Sequence, residues 1–197
     1  MKDRTTCSPA NRGQAALRGE LTEDTHVNSL ILSTELRDTI VQYLQQCLPH
    51  EGVGVLATHQ ISPSLTAVRF YPGRNTDQSP RRFTMDPADV LTALAEIKRD
   101  RTRFGAIVHS HPNTAPVPSR TDLVEANVPG VLSLIVGFSP VVELRAWKLV
   151  YDDHGVAVRF DEVPVVCRDT SEVARLGFLQ RASHDRGMPR HPMKGSA

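Results

Sequence analysis

Long apolar segments are absent from this chain of 197 residues. No run reaches the roughly 18 consecutive apolar residues that a membrane-spanning helix requires. The first residues, Met1-Lys2-Asp3-Arg4, are mostly charged, and no apolar core of a signal peptide follows them. We therefore expect a cytoplasmic protein with no membrane partner.

Cysteine is scarce, and its three positions, Cys7, Cys47 and Cys167, lie far apart. They form no Cys-x-x-Cys pair, which argues against a disulfide framework and against a cysteine-based zinc site. An excess of one charge is also absent, because 23 lysines and arginines stand against 22 aspartates and glutamates. A net charge of +1 provides no general attraction to nucleic acid, so we expect no nucleic-acid partner.

What is present is typical of one soluble globular domain, with 40% hydrophobic and 23% charged residues. Helices are predicted from Ser33 or Thr34 to the residue before Pro49 and from Asp86 to about Asp100. Apolar and alternating patterns predict strands at 30–32, 51–57, 65–71, 104–108, 132–136 and 143–151 and within 155–166. Because strands and helices interleave, the predicted class is α/β, with a mixed sheet between helices.

The two ends of the chain have a different composition from its middle. Residues 1–28 lack a sustained apolar pattern, which predicts a flexible N-terminal arm. Residues 29–167 form the predicted domain. Residues 168–197 are predicted to contain a helix over 171–182 and then a disordered tail rich in arginine, histidine, glycine and proline.

Two histidines follow the apolar strand predicted at 104–108. Side chains at positions i and i+2 of an extended chain point to the same face. His109 and His111 therefore present their imidazoles side by side, while Ser110 points the other way. Neutral imidazoles are good zinc ligands, but zinc needs a third protein ligand and, in a catalytic site, an open position for water.

The third ligand is predicted downstream, in the sequence Ser119-Arg120-Thr121-Asp122. Two prolines keep the connection extended and stiff, so a carboxylate in the first turn of the next helix can return to the histidines. The same four residues also fit a capping box, in which Ser119 and Asp122 bind each other's backbone amides. Taken alone, this pattern is more often a helix start. In register with the two histidines, it favours a zinc site with Asp122 as the third ligand.

A further acid, Glu51, precedes a glycine-containing apolar strand. Glu51, the His-x-His-Pro sequence at 109–112 and the Ser-x-x-Asp sequence at 119–122 have the spacing of a known signature. The chain resembles the JAB1/MPN/Mov34 (JAMM) family of zinc metallopeptidases over roughly residues 29–166. The resemblance implies a single MPN domain whose central mixed sheet is flanked by helices, in a deaminase-like α/β/α sandwich.

The resemblance also implies the role of each candidate residue. Zn²⁺ is expected to be held by His109, His111 and Asp122. Glu51 is expected to act as the general base that accepts a proton from water. Ser119 is expected to donate a hydrogen bond to the carbonyl oxygen as negative charge develops on it. These roles identify the chain as a JAMM-type hydrolase.

The substrate expected from the resemblance is a protein tail. The chain is similar to the compact bacterial branch of the family, which includes peptidases that release cysteine from the Gly-Gly tail of a ubiquitin-like sulfur-carrier protein. The expected partner is therefore such a protein, cut at an amide or isopeptide bond. The polar segment 74–82 is predicted as a surface loop near the site, in which Arg74, Arg81 and Arg82 either contact a partner's carboxylates or are simply solvated.

Two alternative functions belong to other classes. One is a non-catalytic module that binds ubiquitin-like tails. The complete set of Glu51, both histidines and Asp122 argues against it. The other is a RadC-like, DNA-associated JAMM protein. That branch has a longer helical N-terminal segment, for which residues 1–28 are too short, and the net charge of +1 offers no basic face for DNA.

Overall fold

The computed structural model describes residues 27–61, 63–125, 128–152 and 156–175. The strands in this part of the chain are β1 (Ser29–Ser33), β2 (Val53–Ile61), β3 (Ser64–Gly73), β4 (Arg103–His111), β5 (Leu132–Gly137), β6 (Glu143–Tyr151), β7 (Ala157–Val163) and β8 (Val165–Arg168). The helices with assigned bounds are α1 (Thr34–Gln46), α2 (Pro87–Arg99) and α3 (Arg120–Glu125). All eight strands form one mixed sheet in the order β7-β6-β5-β4-β2-β3-β1-β8.

Both long helices begin at the caps that their sequences predict. The hydroxyl oxygen of Ser33 accepts a hydrogen bond from the amide of Leu36 at 3.1 Å, which starts α1. The carboxylate of Asp86 accepts one from the amide of Ala88 at 2.8 Å, and Pro87 occupies the first turn of α2. The two predicted helices are therefore confirmed.

The helices cover opposite faces of the sheet. Leu56 of β2 packs in the core cluster that contains Ile40 and Leu44 of α1. Its neighbour Val55 packs in a second cluster, which contains Ile97 of α2. Successive side chains of a strand point to opposite faces, so one helix lies on each side. This confirms the predicted α/β class and the mixed sheet between helices.

The strands that carry the candidate site extend further than predicted. β4 continues past the apolar run and includes both histidines, because it remains paired with β5 as far as His111 and Gly137. β2 likewise continues to Ile61 through its pairing with β3. β4 lies between β2, which is antiparallel to it, and β5, which is parallel to it. The carboxyl end of β4 and the start of β2 therefore meet at one edge of the sheet.

Part of the predicted organisation lies outside the described residues. This applies to residues 1–26 of the predicted arm and to residues 176–197, which include the end of the predicted C-terminal helix. Residues 170–175 are helical, in agreement with the predicted start of that helix. Within the ranges that the structure covers, no helix has the length and apolar character needed to cross a lipid bilayer.

Candidate metal centre

The two histidines lie side by side at the end of β4, as the strand alternation predicts. Their Nε2 atoms are 3.2 Å apart, and the rings are 1% and 6% exposed for His109 and His111. The Nδ1 atom of His111 lies 3.0 Å from the backbone oxygen of Ala115. An Nδ1–H group that donates to this carbonyl leaves Nε2 with its lone pair directed to His109, which is the tautomer that a metal ligand needs.

Asp122 returns to the histidines from the first turn of α3. Its Oδ1 atom lies 3.3 Å from Nε2 of His109, and its Oδ2 atom lies 3.6 Å from Nε2 of His111. The amide of Ser119 donates to Oδ2 of Asp122 at 2.6 Å, and the amide of Asp122 donates to the hydroxyl of Ser119 at 3.1 Å. The reciprocal capping box is therefore formed in the same place where the carboxylate faces both imidazoles.

The donor set of His109, His111 and Asp122 fits a small divalent cation. One ligand atom from each residue lies within 4.8 Å of the other two. Ligands bound at 2.0–2.2 Å in tetrahedral zinc sites are separated by roughly 3.3 Å from one another. The observed separations of 3.2, 3.3 and 3.6 Å match that spacing. Imidazole nitrogen and carboxylate oxygen are also donors that zinc accepts.

The connection from the histidines to α3 is folded back onto the sheet rather than extended throughout. The indole Nε1–H of Trp147 donates to the backbone oxygen of Pro116 at 2.9 Å. A tight turn brings the amide of Val117 to within 2.8 Å of the oxygen of Ala115. A Cβ atom on Gly137 would lie 2.7 Å from Cδ of Pro116, so only glycine allows this close approach. The prediction of an extended connection is therefore wrong at the turn, where backbone bonding shortens the path.

Glu51 lies at the same edge of the sheet as the histidines. Val53 of β2 is paired with His109 of β4. Continuing this antiparallel register by two residues places Glu51 opposite His111 and on the same face. The side chain is 5% exposed. The structure thus brings Glu51, both histidines and Asp122 together, with Ser119 next to them at the start of α3.

Three residues to which the sequence analysis assigned no role in the site form hydrogen bonds with the backbone around Glu51. The hydroxyl oxygen of Ser110 accepts a hydrogen bond from the amide of Gly52 at 2.8 Å, and the amide of Ser110 donates to the oxygen of Gly52 at 3.0 Å. The side-chain amide of Asn75 donates to the oxygen of Glu51 at 2.9 Å. The amide of Glu51 donates to the oxygen of Ser79 at 2.8 Å. The backbone N–H and C=O groups of Glu51 and Gly52 are therefore all hydrogen-bonded.

The loop between β3 and α2 forms one wall of the centre. The ring of Phe83 stacks on His109, with 4.6 Å between centroids and 28° between planes. Two of the loop arginines are paired within the chain: Arg74 with Asp86 at 2.7 Å and Arg82 with Glu125 at 3.2 Å. The contribution of Phe83 has no short-range sequence signal, because the phenyl ring and the imidazole meet only when loop and strand are in place.

The protonation equilibria of the centre depend on burial and on Asp122. Burial lowers the pKa of His109, although Asp122 opposes this effect. Burial also disfavours protonated His111, but hydrogen bonds to Asp122 and Ala115 outweigh it and raise the pKa of His111. Burial alone would raise the pKa of Asp122, yet the hydrogen bonds from both histidines hold it well below its usual range. Two of the three ligands therefore favour the deprotonated form that a metal needs.

Glu51, unlike His109 and Asp122, is shifted towards its protonated form. Burial raises the pKa of Glu51 to about 7; attraction to His111 acts against this shift, and repulsion from Asp122 adds to it. A carboxyl group with a pKa near neutrality can both accept and return a proton under ordinary conditions.

Comparisons with known proteins agree with this arrangement. A family model described as prokaryotic homologs of the JAB domain matches residues 33–150. A protein of Haloferax volcanii named desampylase is 32% identical over 111 residues, which cover 54% of this chain and 78% of the relative. A protein of Mycobacterium tuberculosis named CysO-cysteine peptidase is 28% identical over 123 residues, which cover 61% of this chain and 83% of the relative.

A solved structure supports the fold. The solution structure of a protein from Desulfitobacterium hafniense matches with a TM-score of 0.62 and 26% sequence identity, covering 71% of this chain and 93% of that protein. The sequence comparisons confirm the predicted resemblance and the predicted enzyme class, a JAMM-type peptidase. Since the family model covers more than half of the chain, the chain belongs to the family of prokaryotic homologs of the JAB domain.

Proposed function

We propose that the chain is a zinc-dependent peptidase that hydrolyses an amide or isopeptide bond at the C-terminal Gly-Gly tail of a ubiquitin-like or sulfur-carrier protein. The observation that carries the proposal is the grouping of His109, His111 and Asp122 within 4.8 Å of one another, at the sheet edge where Glu51 is buried. The relatives named desampylase and CysO-cysteine peptidase support the substrate class. We propose that the protein acts in the cytoplasm.

In this proposal His109, His111 and Asp122 hold the zinc ion. When bound, zinc supplies Lewis-acid activation of water for attack on a carbonyl group at neutral pH. The chain's own residues supply the rest of the chemistry. The Ala115 carbonyl keeps the His111 ring in its orientation, and stacked Phe83 covers His109.

Glu51 moves the proton. Its carboxylate accepts a proton from the attacking water and gives it to the amine that leaves. Water thereby adds a hydroxyl group to the acyl carbon and a proton to the nitrogen, so the reaction is balanced without another reactant. Because burial raises the pKa of Glu51 to about 7, both protonation states are accessible during one cycle.

Ser119 donates to the carbonyl oxygen of the scissile bond. Its hydroxyl oxygen already accepts the amide hydrogen of Asp122, so the hydroxyl hydrogen is left to donate elsewhere. A donor aimed at the developing oxyanion stabilises the transition state more than the ground state. The capping role and the proposed catalytic role of Ser119 use different atoms of one hydroxyl group and are compatible.

The test is cleavage of a sulfur-carrier protein that carries one cysteine after its Gly-Gly terminus, followed by intact mass. Wild-type protein is compared with Glu51→Gln, with chelator-treated protein and with Glu96→Gln, which changes a part-buried acid of α2 that is paired with Arg99. We expect Glu51→Gln to cut about 10²- to 10⁴-fold more slowly, chelator to abolish cleavage and Glu96→Gln to have no effect. Zinc binding without cleavage of any tail would instead support a binding module.

A further inference from the structure

Two hollows flank the start of α3, beside the candidate metal centre. One, here called the α3–β6 hollow, has a volume of about 330 Å³ and is lined by Ser119, Arg120, Leu123, Trp147 and Phe160 among others. The second, of about 310 Å³, lies between α3 and the loop that carries Arg82. Arg120 lines both of them. A ligand in either hollow therefore lies next to Arg120, the residue after Ser119.

The arginines around these hollows differ in their partners. Arg82 is paired with Glu125 at 3.2 Å. Arg159, on the far wall of the α3–β6 hollow, is paired with Asp161 at 2.9 Å. Arg120 is exposed, and it has no carboxylate partner in the ranges that the structure describes. Of the arginines lining the hollows, Arg120 is the cation whose charge remains available to an anionic ligand.

The α3–β6 hollow combines this cation with a fixed apolar wall. The indole of Trp147 is held by its hydrogen bond to the oxygen of Pro116. The Cζ atom of Arg145 lies over the same ring, 4.6 Å from its centroid, which adds a cation–π contact. Leu123 and Phe160 also belong to the apolar lining, with Val117 and Pro118. A hollow of about 330 Å³ lies at the small end of ligand sites, and one amino-acid residue fits it better than a folded protein.

We propose that Arg120 binds the free α-carboxylate of a single amino-acid residue that leaves from the Gly-Gly tail, with that residue seated in the α3–β6 hollow. The inference rests on the proposed function and specifies its leaving group. Three covalent bonds separate the scissile carbonyl carbon from the carboxylate carbon of the next residue, a span of about 4 Å. In the proposed function Ser119 faces the scissile carbonyl group. Its neighbour Arg120 is therefore within side-chain reach of the carboxylate of the next residue.

The carboxylate contact would make the enzyme prefer cleavage before the last residue of a tail. A terminal residue with a free carboxylate gains a charge-assisted hydrogen bond to the guanidinium. An internal peptide bond has a neutral carbonyl at that position, and an amidated terminus has a neutral amide. The site is then selective for removal of one C-terminal residue over cleavage within a longer chain. Arg120 acts as a specificity residue, while Glu51 and the metal ligands carry the bond cleavage.

The first experiment measures binding without turnover. A fluorescent peptide ending in Gly-Gly-Cys, as free acid or as amide, is titrated into zinc-loaded protein that carries Glu51→Gln, so that neither peptide is cut. We expect the acid to bind about 10- to 100-fold more tightly than the amide, as for a hydrogen bond between charged groups. Adding Arg120→Gln should remove this preference and Arg120→Lys should keep part of it. Arg99→Gln, which changes an exposed arginine of α2 that lines neither hollow, should leave it unchanged.

Equal binding of acid and amide by the protein with Arg120 intact would overturn the proposal, and so would an undiminished preference in Arg120→Gln. The first of these comparisons requires no change at Arg120, so it does not depend on how that variant folds. A second experiment measures cleavage of the same two peptides by the enzyme with Glu51 intact. If neither is cut but the acid still binds more tightly, the proposed function fails while the carboxylate site stands.

Discussion

At the scale of single residues, Glu51 makes the stability of the metal-free protein depend on pH. Burial raises its pKa from 4.5 to about 7, so between these values the folded protein holds a proton that the unfolded chain has lost. Stability must then fall as the pH rises through that interval. In Glu51→Gln this dependence is removed. We expect its free energy of unfolding to exceed that of wild type by a margin that grows from pH 4.5 to 7 and reaches on the order of 1 kcal/mol after solvent screening.

Urea unfolding of both metal-free proteins at a series of pH values measures this margin. The titrations of His111 and Asp122 are present in both proteins, so the difference between the two curves isolates Glu51 to first order. Parallel curves would show that the carboxyl group is not desolvated in the folded state.

A second single-residue effect concerns the serine between the two histidines. Ser110→Ala leaves the buried amide of Gly52 without its side-chain acceptor. A buried donor left without a partner costs about 1–3 kcal/mol, and Glu51 is the adjacent residue. We expect the free energy of unfolding of Ser110→Ala to fall by that amount and its rate of tail cleavage to fall as well. Both are measured on the full-length chain.

The control for Ser110→Ala is Ser133→Ala on β5. Ser133 is part-buried, and its side chain forms no hydrogen bond in the described part of the chain. Its replacement should change stability by a few tenths of a kcal/mol at most. A similar loss of stability in both variants would mean that the Ser110 hydroxyl does not support the start of β2.

The positions of the two histidines were predicted from the sequence because a local rule fixes the direction of their side chains. Strand alternation places His109 and His111 on one face, and the same rule turns Ser110 away from them. No local rule identifies the hydrogen-bond partner of the Ser110 side chain. The partner of Ser110 is Gly52, 58 positions earlier in the chain, and it is brought there only by the register of β2 against β4.

At the scale of elements, one side chain in the loop between β3 and α2, that of Asn75, forms four hydrogen bonds. The side-chain Nδ2 of Asn75 donates to the backbone oxygens of Glu51 and Arg82, both at 2.9 Å. Its oxygen accepts from the amides of Asp77 and Thr84, at 3.0 and 3.1 Å. Four bonds from one residue connect the two sides of the loop to the strand edge that carries Glu51.

We expect Asn75→Ala to loosen this loop and to lower stability by about 1–3 kcal/mol, because backbone groups that it bonds lose their partner. Hydrogen–deuterium exchange should rise over 75–84 while the core strands stay protected. Thr76→Ala is the matched change, since the Thr76 hydroxyl bonds the oxygen of Thr84, which the Thr76 backbone amide already bonds. Equal exchange in both variants would show that Asn75 does not organise the loop.

Elements were predicted best where caps and periodicity agree. Asp86 followed by a proline starts α2 where expected, and Ser33 does the same for α1. Strand ends were predicted less well, because pairing with a neighbour rather than composition decides where a strand stops. β4 extends to His111 since β5 remains beside it, and no property of β4 alone contains that information.

At the scale of the whole molecule, the sheet order assembles the centre from segments that are distant in the chain. β2 and β4 are neighbours in the sheet, so Glu51 and the histidines meet at one edge despite 57 intervening positions between Glu51 and His109. The signature spacing allowed the members of the group to be predicted. The Asn75 loop, the stacked ring of Phe83 and the lack of a carboxylate partner for Arg120 among the described residues could not be predicted, because each depends on which elements become neighbours.

This assembly makes metal binding a property of the folded state, and thermal stability should report it. The three ligands come from β4 and α3, so the unfolded chain has no preformed site. A ligand that binds only the folded state adds about 2.7 kcal/mol at a concentration 100 times its Kd, which raises Tm by roughly 5–10 °C for a domain of this size. We expect zinc to produce such a rise in wild type and chelator to reverse it. Asp122→Asn should show little or no rise, whereas Asp38→Asn, an exposed acid of α1, should behave like wild type. An equal rise in Asp122→Asn would place the bound zinc elsewhere, and no rise in wild type would contradict the metal centre itself.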